Sequence, residues 1–294
     1  MPERPTVAAR GGIARLLVTA TGFLREDGED RTPFLRRLDE LMADAYDITW
    51  LPEADLPRVA EWIARAHPDV IVSIGSTQTV SILAADAGLP VVAWGYAGAL
   101  VDRPTPDLCG FCLPADTQRE SLRVLQTLLP DLREVAALYD ERYPPGRIAL
   151  TEARAAAEEL GLALVVCAAQ DETGLDAAFT EIAHRGIRGI RVMLSPFLAR
   201  EAGTLARRAL AVRAALMSYD RTTREGGLVS YVPDMTRTAA LLADLAREVA
   251  RGREPRDFGV RPCPMKLELN AATARALGVA IPPELARRAT RIYD

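Results

Sequence analysis

Two hydroxyl residues at the end of an aliphatic run carry the clearest chemical signal. Val70-Ile71-Val72-Ser73-Ile74-Gly75-Ser76-Thr77 reads as a buried strand, a glycine turn and the start of a helix. The run alternates too little for a half-exposed strand and fits a parallel strand covered on both faces. Gly75 permits the sharp turn. Ser76 and Thr77 then fall where an N-cap belongs, ahead of Val80, Ile82 and Leu83. Hydroxyls and first-turn N–H groups at such a place seat a small anion such as a carboxylate, or they only cap the helix.

Other strand ends add a mixed polar set. In order these are Thr21 and Gly22, Trp94 and Tyr96, Asp140 and Tyr143, Ser195, Tyr219 and Asp220, and Tyr231. In open α/β sheets, ligands bind outside the carboxyl ends of the strands. The set suits an amino acid. Ser76 and Thr77 would take its carboxylate, Asp140 or Asp220 its ammonium, and Trp94, Tyr96 or Tyr143 an apolar or planar side chain. Trp94 fits core packing as well as ligand contact. Tyr231 fits packing in a hinge, Asp234 reads as an N-cap, and Asp220 is also placed to pair with Arg221 or Arg224.

Catalytic and metal signatures are weak. The only histidines are His67, before Pro68, and His184, in the last turn of a helix. Neither lies at a carboxyl strand end. No G-x-S-x-G elbow, P-loop or G-x-G-x-x-G occurs. Cys109 and Cys112 match C-x-x-C, but no second pair or histidine pair completes a metal site, and they read as buried thiols. No cofactor is expected, and no catalytic residue is assigned.

Strand and helix patterns alternate through most of the chain. Strands are expected at 15–21, 46–51, 70–74, 89–94, 108–113, 134–139, 162–167, 189–194 and 215–219. Helices are expected from Thr32-Pro33, from Asp55, after Gly75, from a Thr117/Glu120 capping box, over 147–160, from Thr173 to Gly186 and over 197–211. This alternation means parallel sheets with right-handed crossovers. Late elements follow two completed layers: a strand over 228–231, an Asp234-capped helix, a strand over 266–269, an Asn270-capped helix and a helix from Pro282-Pro283. The chain therefore returns to its first layer and crosses again. The expected organisation is 13–110 with 226–254 as one lobe and 114–222 with 259–294 as the other. The crossings are placed near Cys109–Pro114, Gly226 and Phe258–Pro262.

The 294 residues exceed one ordinary core, in keeping with two domains. The balance of 49% hydrophobic and 26% charged residues is that of a soluble globular protein. Net charge is -4 and aromatics are 5%, so nucleic-acid and membrane-surface binding are not indicated. No apolar run reaches the roughly 18 residues of a membrane span. Residues 13–24 are interrupted by Arg15 and lack a cleavage pattern, which argues against a signal peptide.

The last third resembles a known family. Gly226-Gly227-Leu228-Val229-Ser230-Tyr231-Val232-Pro233-Asp234 is similar to its G-G-L-x-S-Y-x-P-(D/N) motif. Residues Leu267 to Pro283 are similar to its E-L-x-(I/V)-N-x-x-T-A-x-A-L-G-L-x-I-P-P ending. Pro68 to Val72 with Gly75, and Glu134 to Tyr139, fit the same template. The family is the ABC-transporter solute-binding proteins of the type I periplasmic-binding fold, in the subgroup associated with aromatic and other amino-acid uptake. The resemblance implies two Rossmann-like lobes joined by three crossings, with a small polar ligand in the cleft between them. It implies a monomer outside the cytoplasm, periplasmic or membrane-anchored, with a membrane permease as partner. The sequence departs from the pattern at Asp140 to Pro145, where the family has an Asn-Pro-rich loop. It departs again at Ser195-Pro196, where an acidic residue often precedes the proline. A cytoplasmic sensor of the same fold and an enzyme acting on the cleft ligand are the alternative readings.

Overall fold

The computed structural model describes residues 13–20, 33–95, 105–193 and 195–294. Thr21, Gly22 and Tyr96 lie outside them. The chain divides into two compact units, one of residues 1–114 and 233–264, the other of 115–232 and 265–294. The backbone thus passes between units three times.

In chain order the first unit opens with β1 (Ala14–Ala20), α1 (Pro33–Met42), β2 (Tyr46–Leu51), a 3-10 segment (Glu53–Arg58) and α2 (Val59–Ala66). It continues through β3 (Val70–Ile74), α3 (Ser76–Ala84), β4 (Val91–Gly95) and β5 (Leu108–Cys112). The second unit contributes α4 (Thr117–Leu128), β6 (Glu134–Tyr139), α5 (Pro144–Glu159), β7 (Ala163–Ala168), α6 (Glu172–Arg185), β8 (Gly189–Val192), α7 (Pro196–Arg200), α8 (Ala202–Ala211), β9 (Ala215–Ser218), α9 (Asp220–Arg224) and β10 (Val229–Pro233). The chain then returns to the first unit for α10 (Met235–Ala250) and β11 (Val260–Pro262). It ends in the second with β12 (Met265–Asn270), α11 (Ala271–Leu277), α12 (Pro283–Arg288) and β13 (Arg291–Tyr293).

The first sheet has the order β2-β1-β3-β4-β5-β11, and each of its pairs is parallel. All five residues of β3 and of β5 are buried, as helices on both faces require. Leu17, Ile71, Ala93 and Leu108 pack with Trp62, Ile63 and Ile82 on one face, while α10 lies against α1 and across β3, β4 and β5. Gly110 on β5 is the register partner of Ala93 on β4. Its φ is +147°, and an added Cβ would lie 1.9 Å from Ala93 O.

The second sheet has the order β7-β6-β8-β9-β10-β12-β13. Its pairs from β7 to β10 are parallel, as is β12 with β13. Asn270 N bonds to Leu228 O and Asp234 N to Pro264 O. Those two bonds together place β12 antiparallel to β10. One face packs Leu122, Leu125, Val135, Met217 and Leu269 together. The other packs Leu138, Ile190 and Leu216 against Phe179, Ile182 and Leu205.

Two crossings differ from the sequence expectation. The strand after Gly226-Gly227 pairs with β9 and so stays in the second unit, leaving Gly226 in a turn inside it. Residues 226–232 therefore do not belong to the first lobe. Conversely, Val260–Pro262 pairs with β5, so residues 259–264 belong to the first unit, not the second. Glycine and proline mark turns by their torsions, and a turn inside a unit reads like a crossing between units.

Local caps also shift. Gly75, with φ +125°, is the N-cap of α3, and Ser76 and Thr77 occupy its first two helical positions. Asp116 takes the N-cap position of α4, and the Glu120 carboxylate pairs with Arg123 and Arg288 instead of closing a capping box. Asp171 caps α6 in place of Thr173, accepting from Gly174 N at 2.8 Å. The helix expected over 197–211 is broken at Glu201 into α7 and α8. Asp234 and Asn270 cap α10 and α11 as expected.

Candidate functional site

In both sheets the second strand in sequence lies outside the first, and the third lies on its other side. The strand order therefore reverses between β1 and β3, and again between β6 and β8. Crevices at the carboxyl ends of such strands are the natural ligand sites of doubly wound sheets.

In the first unit, β3 delivers Gly75, Ser76 and Thr77 to this edge. Gly75 N donates to Trp94 O at 2.8 Å, which ties the turn to β4. A Cβ on Gly95 would sit 2.8 Å from Ser76 Oγ, so only glycine leaves room for that hydroxyl. Thr77 is exposed and Ser76 half-buried at the start of α3. Beneath them, Ser73 Oγ and Thr79 Oγ1 are 2.8 Å apart, and Thr79 Oγ1 donates to Gly75 O at 2.9 Å. Thr19, beside Ser73 in register, is fully buried and its hydroxyl has no partner among the described residues. A hydroxyl embedded in Val-Ile-Val-Ser-Ile was the sequence signal for this layer, which sequence reasoning passed over. Trp94 packs on Phe34 with ring centroids 6.3 Å apart, and its buried indole N–H has no hydrogen-bond partner among the described residues.

In the second unit the β6/β8 edge is denser. Asp140, at the end of β6, is 4% exposed. Its Oδ2 accepts from Ser195 Oγ at 2.9 Å, and its Oδ1 from Arg142 N at 3.0 Å and Arg142 Nε at 3.3 Å. Ser195, after β8, is fully buried, and its Oγ also accepts from Leu198 N to cap α7. Tyr219 supports this loop from β9. Its hydroxyl accepts from Ser195 N at 2.8 Å and lies 3.1 Å from Met193 O and 3.3 Å from Ser195 O. Burial is the main influence on this phenol and raises its pKa well above the ordinary value; the Ser195 backbone bond and Arg191 act the other way. Tyr219 is thus bound up in loop support at its polar end. Tyr143 is the N-cap residue of α5, its N–H bonded to Asp140 O at 3.2 Å.

Along the same edge, Asp220 opens α9. Its Oδ1 accepts from Arg221 N at 2.8 Å, and its Oδ2 from Lys266 Nζ at 2.8 Å. The ammonium also reaches Glu268 Oε1 at 3.0 Å, and Tyr293 Oη donates to Glu268 Oε2 at 3.0 Å. Burial works against the Lys266 charge; Asp220 and Glu268 outweigh it and hold the ammonium above its ordinary pKa. Sequence reasoning missed Lys266, Glu268 and Tyr293. The signal was a Lys-x-Glu pair on one face of a strand that otherwise reads as core. Tyr231 packs against the core of this unit.

The structure therefore brings Asp140, Tyr143, Ser195, Tyr219 and Asp220 to one edge of the second sheet, and Ser76, Thr77 and Trp94 to one edge of the first. A groove of about 440 Å³ lies at the opposite, amino-terminal edge of the second unit, between Leu129, Arg133, Ile187 and Val279. It holds none of these groups. All four cysteines are buried and free. Among the described residues no group of His, Cys, Asp and Glu is arranged to hold a metal ion, and no helix is long and apolar enough to cross a membrane.

Residues 52–293 match the family model described as ABC transporter substrate binding protein. A conserved domain protein from Vibrio cholerae is similar in structure, with a TM-score of 0.74 at 19% identity, covering 96% of this chain and 100% of that one. An ABC domain from Streptococcus pneumonia in complex with L-Trp gives 0.71 at 18% identity, covering 94% and 99%. An ABC transporter solute-binding protein from Bacillus halodurans with bound myo-inositol gives 0.64 at 15%, covering 90% and 96%. No curated protein matches the sequence. The shared architecture is the type I periplasmic-binding fold, α/β with two mostly parallel sheets.

Proposed function

Because the chain belongs to the ABC transporter substrate-binding protein family, we propose that it is the solute-binding component of an importer and that its solute is an amino acid or a close relative. The observation that carries this reading is the buried Asp140–Ser195 pair at the strand reversal of the second sheet. A carboxylate has about four lone-pair positions, and the Ser195 and Arg142 bonds to Asp140 leave capacity for a ligand donor. Tyr143 lies beside it, at the start of α5. In the first unit, Ser76 and Thr77 at the start of the nine-residue α3 offer hydroxyls and first-turn N–H groups to a carboxylate.

The L-Trp complex of the streptococcal domain supports the amino-acid class. The myo-inositol complex of the Bacillus halodurans protein favours a second reading, a neutral polyol. We propose as well that the protein acts as a monomer outside the cytoplasm and delivers its solute to a membrane permease, a reading that its family membership supports.

A thermal-shift screen against amino acids, polyols, sugars, nucleosides and short carboxylic acids tests the proposal. Ligand at a hundred times its dissociation constant adds about 2.7 kcal/mol to stability. The expected result is a hit among the amino acids that Ser76→Ala with Thr77→Val, and separately Ser195→Ala, each weaken at least tenfold. A hit confined to polyols would replace the amino-acid reading with the second one. An amino-acid hit that neither variant weakens would overturn the assignment of the site.

A further inference from the structure

A line of hydrogen bonds leads from the core of the second unit to one exposed guanidinium. Ser195 N donates to Tyr219 Oη at 2.8 Å, and Ser195 Oγ to Asp140 Oδ2 at 2.9 Å. Asp140 Oδ1 then accepts from Arg142 twice, from N at 3.0 Å and from Nε at 3.3 Å. Side-chain exposure steps from 6% at Asp140 to 57% at Arg142.

The bond at Nε sets this arginine apart. Arg37, Arg247 and Arg251 each spend a terminal nitrogen on an exposed carboxylate three residues away. Arg142 is anchored by its inner nitrogen to a buried carboxylate. Among the described residues neither of its terminal nitrogens has a hydrogen-bond partner. The other arginines of this edge are directed elsewhere. Arg147 Nη2 donates to Glu141 O at 3.3 Å, and Glu141 is exposed. Arg191, on β8, donates to Val192 O at 2.7 Å and to Gln118 Oε1 at 3.3 Å.

A guanidinium fork meets a carboxylate with two parallel N–H···O bonds. An arginine that is free to turn loses rotamer freedom on binding, and one already held at N and Nε loses less. The place also coincides with a departure in sequence. Asp140 to Pro145 stands where the family has an Asn-Pro-rich loop, and Arg142 is the one cation among those six residues.

We infer that Arg142 is a solute contact, whose terminal guanidinium nitrogens take the carboxylate of an α-amino acid, and that Asp140 positions it. This rests on the reading that the carboxyl edge of the second sheet belongs to an amino-acid site. Asp140 then has two duties: Oδ1 aims the guanidinium, and its remaining lone pairs meet the ammonium. An α-amino acid carries both opposite charges on one carbon, the complement of this pair. A carboxylate has about four lone-pair positions, so the fork adds to the donors of Ser76 and Thr77 and does not replace them.

The test is titration calorimetry on the whole chain with L-leucine and L-leucinamide, L-tryptophan and L-tryptophanamide, and myo-inositol. At about pH 6 each amide keeps its charged ammonium and side chain and loses only the carboxylate. The wild-type protein is expected to prefer the acid over its amide by at least about tenfold. Arg142→Gln should weaken the acid about tenfold and leave the amide level. That is the lower end for a bond to a charged group, because Arg142 is more than half exposed. Arg142→Lys keeps the charge without the fork and should recover part of the loss. Asp140→Asn should also cut the acid-to-amide ratio, and the double variant should cut it no further than Arg142→Gln does. A merely structural role for Asp140 would weaken acid and amide alike.

If Arg142→Gln changes acid and amide by the same factor, or changes neither, Arg142 does not read the carboxylate. The inference is then overturned and the amino-acid site is left standing. An Asp140→Asn protein with the wild-type ratio overturns the positioning role. A wild-type protein that binds each amide as tightly as its acid overturns the contact. Binding of myo-inositol alone, or of no probe, overturns the amino-acid reading and this inference with it.

Discussion

Tyr219→Phe isolates the support beneath the Asp140–Ser195 pair. The ring remains and only the hydroxyl is lost. That oxygen accepts the Ser195 N–H at 2.8 Å and is in reach of Met193 O at 3.1 Å. Among the described residues no other acceptor bonds Ser195 N, and Ser195 is fully buried. Removing one partner of a buried hydrogen bond costs about 1–3 kcal/mol, because the group left behind stays dehydrated. One donor and one acceptor are orphaned here, so a loss of about 2–4 kcal/mol is expected. At about 2–4 °C per kcal/mol for units of this size, the melting temperature should fall by about 4–16 °C. The loop from Met193 to Ser195 also loses its tie to β9, so Ser195 Oγ should hold Asp140 less tightly. A double-mutant cycle with Ser195→Ala reads that link, and a coupling of about 0.5–3 kcal/mol is expected for groups in one network. Urea denaturation of the four proteins, followed by far-UV circular dichroism, measures it. A Tyr219→Phe protein within about 0.5 kcal/mol of wild type, with no coupling to Ser195→Ala, would refute the support role.

Three further outcomes follow from the packing. Gly110→Ala should be the most damaging small substitution in the first unit, costing about 3 kcal/mol or more, since the new methyl would lie 1.9 Å from Ala93 O at φ +147°; soluble yield and melting temperature report it, and a stable variant would show that β5 can shift. Asn270→Ala should cost about 2–4 kcal/mol, because Oδ1 caps Thr273 N at 2.9 Å and Nδ2 donates to Thr223 O at 3.0 Å in a buried place; Asn270→Asp, which keeps the cap alone, should recover part of the loss in a urea melt. Burial pushes the Cys109 thiol up to about 12 and the Cys263 thiol to about 11. Folded-state values above the unfolded ones give stability that is whole below about pH 8.5 and is lost as pH rises toward those values, by about 1.4 kcal/mol per pH unit per thiol. Melting temperatures from pH 8 to 11 should therefore fall less steeply in Cys109→Ala than in wild type, and equal slopes would refute the assignment.

Much of the architecture was legible because parallel strands under helices leave short aliphatic runs between helix caps. Glu134–Tyr139 and Val70–Ile74 are such runs, and both strands have those bounds. The two crossings were misplaced because which sheet a late strand joins depends on long-range pairing, which no local pattern records. Val229–Pro233 and Val260–Pro262 look alike as sequence, yet one pairs with β9 and the other with β5. At the candidate site, residues at strand ends could be named from position alone, as Asp140 and Ser195 were. Their division of labour could not. That the Tyr219 hydroxyl faces a loop, and that Lys266 lies between two carboxylates, depends on side chains from elements far apart in sequence.

The antiparallel passage of β10 and β12 also bears on the order in which the chain can fold as it is made. The first unit needs β11, which appears at Val260, and the second needs β12 and β13, which end at Tyr293. Neither sheet can gain its last strands until nine-tenths of these residues have left the ribosome. Until then β5 has a bare edge where β11 will pair, and β10 has one where β12 will pair, and bare edges invite partners from other chains. Both vacancies close within a span of about 30 residues, in the order first unit, then second. A nascent chain held by a holdase or a translocation machine would thus remain an unfinished substrate until Val260 to Tyr293 has emerged, and then close two sheets in quick succession.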